Sequence, residues 1–464
     1  MAFWVRDRGY YRSLVALAIP IILQSVLTQG VSVADNMMVG RLGEDAISGL
    51  YIGNRVQMVL QILLMGLDSS LIILAAQYWG RRDCGHIRDL VSIAMRLSVA
   101  FSALVTALAV CCSRQVIGFF TEAEGVIEAG ASYLRLVGWS YVPFCVSLTL
   151  ITAMRSVEMV RIGLINSVVA LMMNVTGNWL LIYGHCGFPA LGIRGAAVAT
   201  LVSRLAELAV VLYFVLRVDR HLRLRLSDFR RWDADIWHDL LTYGSPLMGG
   251  QVVWAINQFA RTYVVGSLEV SATAAISIAD IFDGLLCLGV FGLASAVGVM
   301  TGKTIGRNEF ETMKTQARTM QVIFAGIGVM VGTFCYACRG LFLSFYALSP
   351  ETLAVADTVL VVLSVTTAFR CYQGPCFMGL VKAGGDTSFV FKNDTVFVFG
   401  AVIPSALVAR YVLGAPAWVV YACLLCDQVL KCLVAVVKIN SFNWMRNLTR
   451  EARVEPSRGA MTKR

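Results

Sequence analysis

Ionisable side chains stand inside long apolar segments of this chain, and they are the residues that could carry chemistry. Asp35 is the one acid in the apolar stretch 13–43, and Arg55 follows in the next apolar segment. A charged residue at the centre of a bilayer costs on the order of 3 kcal/mol to insert, so each needs a partner or a function. Asp35 is therefore either a proton or cation site or half of a structural ion pair with Arg55. Sequence spacing alone favours neither.

A second set of charges occupies the apolar segments of the C-terminal half. Arg261 and Asp280 are placed to pair across a helical hairpin, and Asp283 shares a helix face with Asp280. One arginine neutralises only one of two acids cleanly, so the other acid is a candidate binding or protonation site, unless it simply faces water. Arg370 has no partner nearby in sequence and would need the fold to bring it to an acid such as Asp283.

Asp280 and Asp283 are predicted to have different roles. We expect Asp280→Asn to lower the amount of folded protein, because it strands Arg261. We expect Asp283→Asn to leave folding intact and to alter substrate range or coupling.

Two asparagines form a polar face on another apolar segment. Asn174 and Asn178 are four residues apart and share one side of a helix. Their amides can ligate an ion through oxygen or hold a carboxylate through nitrogen, although interhelical hydrogen bonding explains them equally well. Arg204 and Glu207, three residues apart, are predicted to form a local pair.

Composition places these residues in a membrane protein. The 464-residue chain is 58% hydrophobic and 15% charged, whereas soluble domains carry about 25% charged residues. The net charge of +10 lies mainly in short loops and the C-terminal tail, so it indicates topology and not nucleic-acid binding. No phosphate-binding loop, zinc-protease motif or nucleophile elbow occurs. An enzyme, a metal site and a cofactor are therefore not expected, and transport would need an ion gradient.

Twelve apolar segments are long enough for membrane-spanning helices, which satisfy their backbone hydrogen bonds internally. Cytoplasmic loops would hold 27 Lys and Arg residues and outer loops five if both termini are cytoplasmic. The predicted spans are 13–38, 46–78, 91–111, 130–152, 162–183, 194–216, 241–265, 272–302, 318–338, 352–380, 390–410 and 417–438.

The chain repeats itself at a constant offset of 226 residues. Pro20 falls on Pro246 at that offset, and Gly80-Arg81 falls on Gly306-Arg307. Six crossings per half make the two copies parallel, related by an axis along the membrane normal. The predicted parts are an N-terminal six-helix bundle (1–216), a cytoplasmic linker (217–240), a C-terminal six-helix bundle (241–438) and a basic cytoplasmic tail (439–464).

Several stretches resemble the multidrug and toxic compound extrusion (MATE) family: AIPIILQSVLTQGVSVADNMMVGRLGEDAIS (18–48), AAQYWGRRD (75–83), MNVTGNWLLIYGHCGFPALGIRGAAVAT (173–200), GLVKAGGDT (379–387) and KINSFNWMRNLT (438–449). The resemblance covers nearly the whole chain. It implies an all-α membrane protein whose two pseudo-symmetric bundles form a V around a central cavity. It also implies an antiporter that exports organic, often cationic, compounds as protons or sodium ions enter.

The resemblance assigns roles to individual residues. Pro20 and Asp35 match the family's bending proline and essential first-helix acid, and Asn174 matches an asparagine of its ion-binding cluster. Asn178 stands where many members carry aspartate, and Gln251 lies near a glutamate of some members. The missing second acid favours protons over sodium as the coupling ion.

The sequence thus predicts a monomeric proton-coupled (or sodium-coupled) antiporter of the plasma or inner membrane, acting on small amphipathic cations. A flippase for a lipid-linked precursor is the nearer alternative, and an integral membrane enzyme the more distant one. Asp35, Asn174 and Asn178 are the candidate ion-coupling residues. The candidate cavity residues are Gln251, Arg261, Asp280, Asp283 and Arg370, and the candidate pairing or gating residues are Pro20, Arg55 and Pro246.

Overall fold

Helices make up nearly all of the structure, a computed structural model that describes residues 4–346 and 348–450. No strand occurs in these residues, as expected for a chain whose backbone must satisfy its hydrogen bonds in lipid. Twelve long helices follow the predicted spans: α1 Arg8–Val39, α2 Glu44–Gly80, α3 Cys84–Cys111, α4 Glu124–Ser156, α5 Arg161–Tyr183, α6 Ile193–Val218, α7 Ala234–Gly266, α8 Val270–Gly306, α9 Phe310–Leu343, α10 Pro350–Val381, α11 Thr387–Val412 and α12 Ala417–Ser441.

Eleven of these helices, all except α7, are apolar and long enough to cross a membrane in the described part of the chain. Helix α7 has 33 residues, roughly 50 Å at 1.5 Å per residue, which is more than the ~30 Å hydrocarbon core. Its sequence is more polar, with Gln251, Gln258 and Arg261 along its length. The predicted all-α, multi-pass membrane fold is confirmed.

The sequence repeat reappears in the helix boundaries. Helices α1, α2 and α3 begin at Arg8, Glu44 and Cys84, and helices α7, α8 and α9 begin 226 residues later at Ala234, Val270 and Phe310. The turns after α2 and α8 also match. Arg82 and Asn308 adopt left-handed backbone conformations with φ of 59° and 61°, a geometry that non-glycine residues adopt mostly as single residues in turns.

Two compact units divide the chain inside helices. One unit contains Pro20–Gly244, and the other contains the residues up to Ile19 together with those from Ser245 onward. These boundaries fall at Pro20 in α1 and beside Pro246 in α7, whereas the sequence-based division lies in the loop 217–240. A proline lacks the N–H group that would continue the helical hydrogen-bond ladder. Helices α1 and α7 therefore each lack a backbone hydrogen bond close to the point where the chain passes from one unit to the other.

The 217–240 segment packs against its own unit and is more ordered than a plain linker. Arg88 Nε and Ser92 Oγ of α3 donate to the carbonyl oxygens of Leu222 and Arg231, each at 2.8 Å. The Asp219 carboxylate accepts from the backbone N–H groups of residues 221–223. Helix α7 already begins at Ala234, inside the predicted linker.

The predicted tail, 439–464, is packed at its start. The Trp444 side chain is fully buried, and its Nε1 donates to the Ile439 carbonyl at 3.0 Å. The Arg446 backbone N–H donates to the Gly384 carbonyl at 2.8 Å. Residues 451–464 of the tail lie outside the described residues.

Candidate ion-coupling and substrate sites

Helices α1, α5 and α6 bring Asp35 and both predicted asparagines together. Asn178 Nδ2 donates to Asp35 Oδ1 at 2.5 Å and lies 3.2 Å from Asn174 Oδ1. Asn174 Nδ2 in turn lies 3.5 Å from Thr200 Oγ1. Asn174 and Asn178 are buried. Thr200 was not identified from the sequence, because a single threonine in an apolar helix has an ordinary structural explanation.

A small residue on α5 permits this cluster to form. A Cβ atom at Gly177 would lie 2.9 Å from the Ala199 Cβ on α6, closer than such atoms pack. The bare glycine therefore lets the two helices approach. That approach brings Thr200, the residue after Ala199, to Asn174. Asn174 and Asn178 face this contact together because four residues make about one helical turn.

Arg55 does not pair with Asp35. Its guanidinium donates to the Tyr51 hydroxyl and lies over the Tyr51 ring, 4.4 Å from the centroid. The structural Asp35–Arg55 pair is therefore not formed, because one turn of α2 offers Arg55 a closer aromatic partner. Asp35 is held instead by the neutral amide of Asn178.

The predicted Arg204–Glu207 pair is confirmed next to this cluster. Arg204 Nη1 lies 2.8 Å and 3.0 Å from the two carboxylate oxygens of Glu207. Asn166 Nδ2 of α5 donates to Glu207 Oε2 at 3.2 Å. The guanidinium also lies 4.6 Å from the centre of the Phe144 ring. The acid is thus neutralised within its own helix and joined to α5 by a neutral amide.

The predicted pair of Arg261 and Asp280 is formed in the other unit. The Arg261 guanidinium donates to Asp280 Oδ1 and lies 5.4 Å from the Tyr421 ring centre. The Tyr421 hydroxyl lies 3.3 Å from the same carboxylate oxygen. The Asp280 side chain remains 45% exposed, whereas that of Arg261 is 14% exposed.

Asp283 has an arginine of its own, which corrects the expectation of one unpaired acid. The Arg370 guanidinium donates to Asp283 Oδ2, and Thr367 Oγ1 lies 3.4 Å from Oδ1. The Asp283 side chain is only 13% exposed and that of Arg370 17%. The sequence could not show this pairing, because the two residues are 87 positions apart.

Gln251 takes no part in these pairs. It is partly exposed on α7, and no hydrogen bond joins it to either ion pair in the described residues. Pro20 and Pro246 lie at the unit boundaries described above.

A charged cluster on α11 and α12 was not predicted from the sequence. Lys431 Nζ of α12 lies 2.8 Å from Asp394 Oδ1 of α11 and 3.0 Å from Asp427 Oδ2, one turn away on α12. Lys431 and Asp427 are buried. The spacing of Asp427 and Lys431, four residues apart in an apolar helix, was the available signal.

Comparisons with known proteins agree with this architecture. The MatE family model matches residues 20–180 and 246–405, once in each repeat. The "Probable multidrug resistance protein NorM" of Idiomarina loihiensis is 22% identical over 430 residues, which cover 91% of this chain and 90% of that protein. The protein of the same name from Rhizobium meliloti is 26% identical, with 79% of each chain covered.

A solved structure of a mutant of the Vibrio cholerae MATE transporter VcmN is also similar. Its TM-score is 0.84 at 15% sequence identity, and the match covers 94% of this chain and 98% of that chain. The likeness shows the same fold. The family model covers more than half of the sequence in its two matches, and on that ground the chain belongs to the MatE family, whose members are membrane transporters and not enzymes.

Proposed function

We propose that the protein is a secondary antiporter that exports amphipathic, cationic organic compounds in exchange for protons, with sodium as the alternative coupling ion. The observation that carries the proposal is the partner of Asp35. This intramembrane carboxylate is hydrogen-bonded by the amide of Asn178, and no ion pair joins it to an arginine in the described residues. Arg204 acts on it electrostatically but is itself paired with Glu207. A carboxylate without a permanent cation can be neutralised by a proton, whereas an arginine would favour its ionised form.

Asn178 can serve both protonation states of Asp35. Its Nδ2 donates to the ionised carboxylate. Its Oδ1 is buried and has no hydrogen-bond partner among the described residues. Rotation of the amide by about 180° would present that oxygen as an acceptor for the O–H of protonated Asp35. An ionised aspartate at this position could not donate to an ionised Asp35, and the amide that replaces it favours proton coupling over sodium coupling.

Pro20 gives α1 a way to respond to the charge of Asp35. The proline lies 15 positions before Asp35 in the same helix and interrupts the backbone hydrogen-bond ladder. Protonation removes the desolvation cost of the buried charge. We propose that α1 then repacks about Pro20 and closes the site to the outside, and that Pro246 allows the corresponding change in α7.

The two acids of the C-terminal repeat differ in how far a cationic substrate could reach them. Asp280 is the more exposed of the two and is the proposed substrate-facing acid, whereas Asp283 braces the fold through Arg370. A flippase for a phosphate-bearing lipid would need arginines available to the phosphate. Arg261 and Arg370 are each neutralised by an aspartate, which argues against that alternative.

We further propose a monomer in the plasma or inner membrane with both termini in the cytoplasm. The orientation rests on the 27 Lys and Arg residues that this arrangement places in cytoplasmic segments.

The experiment compares the parent protein with Asp35→Asn in proteoliposomes loaded with a cationic dye. An imposed proton gradient should drive dye transport by the parent and not by the variant, whose side chain stays neutral. The variant should still bind the dye. Glu124→Gln is the matched control, since Glu124 pairs with Arg114 at an exposed site, and it should transport at the parent rate.

Two outcomes would contradict the proposal. Proton-driven transport by Asp35→Asn at the parent rate would make Asp35 structural. Transport by the parent that responds to sodium alone would overturn the proton assignment.

A further inference from the structure

Asp68 is an intramembrane acid of the Pro20–Gly244 unit that the coupling mechanism proposed above does not use. It lies 24 positions into α2, roughly 36 Å from the turn that joins α1 and α2 at 1.5 Å per residue. Asp35 lies about 12 Å from the same turn by that measure. The two acids are therefore at different depths, and a proton taken up at Asp35 still has to cross the part of the unit in which Asp68 lies.

The hydrogen bonds of Asp68 differ from those of a structural acid in the same unit. Both carboxylate oxygens of Glu207 have donors, which come from Arg204 and Asn166. The Asp68 carboxylate accepts from the Thr152 side chain, but its Oδ1 is buried and has no hydrogen-bond partner in the described residues. A buried acceptor without a partner costs about 1–3 kcal/mol. Asp68 is thus satisfied less completely than an acid that only braces the fold.

Arg155 connects the charge of Asp68 to α1. Its guanidinium acts on Asp68 electrostatically, and its Nη2 donates to Gln24 Oε1 of α1 at 3.1 Å. Gln24 lies one turn after Pro20. A Cβ atom at Gly163 of α5 would lie 2.5 Å from Gln24 Oε1, so the bare glycine leaves room for this amide. A change in the charge of Asp68 therefore acts on an arginine that is hydrogen-bonded to α1 beside its proline.

Polar side chains of α4 connect the surroundings of the two acids. An electrostatic interaction joins Tyr133 to Asp35 and to Tyr141, and another joins Cys145 to Asp68. Tyr141 and Cys145 are buried and share one side of α4, because four residues make about one helical turn. The Tyr141 hydroxyl has no hydrogen-bond partner in the part of the chain that the structure describes. A hydroxyl can accept one proton while it donates another, so this group is suited to pass a proton on.

We propose that Asp68 is a second proton site of the antiport cycle and receives the proton that Asp35 releases. The proton passes along α4 by way of the Tyr141 hydroxyl, with water completing the hydrogen bonds, and binds Asp68 at Oδ1. Asp35 becomes a carboxylate and Asp68 becomes neutral, so the total charge of the unit is unchanged. The charged or titratable groups that act on Asp68 in the described residues are Arg155 and Cys145, both on α4. Neutral Asp68 no longer attracts Arg155, which transmits the change to α1.

The first experiment detects the proton on Asp68 without any transport. Infrared difference spectra between high and low pH, recorded on the full-length protein in nanodiscs, show the carbonyl stretch of protonated carboxylic acids. In an Asp35→Asn background this band should lose intensity when Asp68→Asn is added. Asp68→Glu in the same background should keep the intensity and shift the frequency of the band. A merely structural acid would give the same spectrum with and without Asp68→Asn.

The second experiment measures proton flux with a pH-sensitive dye inside proteoliposomes that carry an imposed proton gradient and an exported substrate. Asp68→Asn should lower the flux about tenfold, and Asp68→Glu should restore most of it. Tyr141→Phe removes a hydroxyl that has no partner, so it should keep the melting temperature of the parent yet lower the flux about threefold. Ser147→Ala is the matched control. Ser147 Oγ is also buried without a partner, but it lies on the other side of α4 from Cys145, and the variant should match the parent in flux.

An unchanged infrared band or an unchanged proton flux in a folded Asp68→Asn variant would overturn the second site. If that variant does not fold, parent flux in Tyr141→Phe would overturn the proposal equally. The inference rests on the proposed proton coupling, but the two fail separately. An Asp68-dependent infrared band without proton-driven export would leave the second site standing and refute the coupling. Proton-driven export that is indifferent to Asp68→Asn would refute the second site alone.

Discussion

Asp35 of the N-terminal repeat differs in its contacts from Asp280 and Asp283 of the C-terminal repeat. In the N-terminal repeat, Asp35 contacts the neutral amide of Asn178. In the C-terminal repeat, Asp280 and Asp283 each contact an arginine. An arginine in contact with a carboxylate favours the ionised form of that carboxylate. A neutral amide adds no such charge, so a carboxylate bonded to it can gain or lose a proton more readily. From this comparison we propose that Asp35 takes part in ion coupling and that Asp280 and Asp283 serve in substrate contact or bracing.

The largest expected effect is the loss of stability when the Asp283–Arg370 pair is broken. Asp283 is much less exposed in this pair than Asp280 is in its pair with Arg261. Asp283→Asn leaves the Arg370 guanidinium without its carboxylate at a site where both side chains are less than one-fifth exposed. Breaking a buried pair from one side costs about 3–5 kcal/mol. We therefore expect a much lower yield and a lower melting temperature in detergent, measured by fluorescence-detected size-exclusion chromatography after heating.

The double variant Asp283→Leu with Arg370→Met is the control for that prediction. Replacing both charges by apolar side chains removes the stranded cation and is often neutral for stability. It should recover most of the lost melting temperature. Equal melting temperatures for the parent and Asp283→Asn would show that the pair does not brace the fold. From the exposures of the two side chains we therefore predict that Asp283 contributes more to stability than Asp280, the opposite of the prediction made from the sequence.

A smaller effect, on the coupling ion, should follow when a second acid is introduced beside Asp35. Asn178→Asp would place a second carboxylate at the position that now donates to Asp35. Two acids so close share a proton or bind a metal cation between them. We expect a sodium gradient to drive dye transport by this variant about tenfold faster than by the parent, a difference of 1.4 kcal/mol.

The measurement for Asn178→Asp is dye transport in proteoliposomes with an imposed sodium gradient at constant pH. A variant that remains indifferent to sodium would show that the number of acids does not decide the coupling ion. Asn174→Asp is the companion variant, since Asn174 interacts with Asp35 more weakly than Asn178 does, and it should respond less.

Asp280→Asn should have a modest effect on stability. Arg261 is only 14% exposed, but the Asp280 side chain beside it is nearly half exposed, so water can solvate the guanidinium that loses its acid. An ion pair that water reaches is typically worth about 0–1 kcal/mol. The variant should fold, melt close to the parent, and lose affinity for cationic dyes more than for neutral ones. A loss of folded protein as large as that of Asp283→Asn would contradict the difference in roles inferred from exposure.

Local patterns in the sequence predicted the helices and the nearby pairs. The 226-residue repeat predicted that the helices of the two halves match. The Arg204–Glu207 pair could be predicted because residues three apart lie on the same side of a helix. The Asp283–Arg370 pair and the Asp394–Lys431 contact were not readable, because their partners lie on helices far apart in sequence. The choice of Asn178 over Arg55 as the partner of Asp35 depended on how α1 packs beside α5, which local patterns in the sequence do not show.

The smallest expected effect is that of replacing Arg55, which the sequence offered as a partner of Asp35 and which contacts Tyr51 instead. Arg55 is four residues from Tyr51 on α2 and directs its guanidinium onto that ring and hydroxyl, so it does not stabilise the charge of Asp35 by direct contact. Arg55→Met should therefore leave the rate and pH dependence of dye transport within about twofold of the parent, as expected for a change of roughly 0.5 kcal/mol. A displaced pH profile in the variant would show that Arg55 reaches Asp35 in another state of the transport cycle. In that state Asp35 would contact an arginine, as Asp280 and Asp283 do.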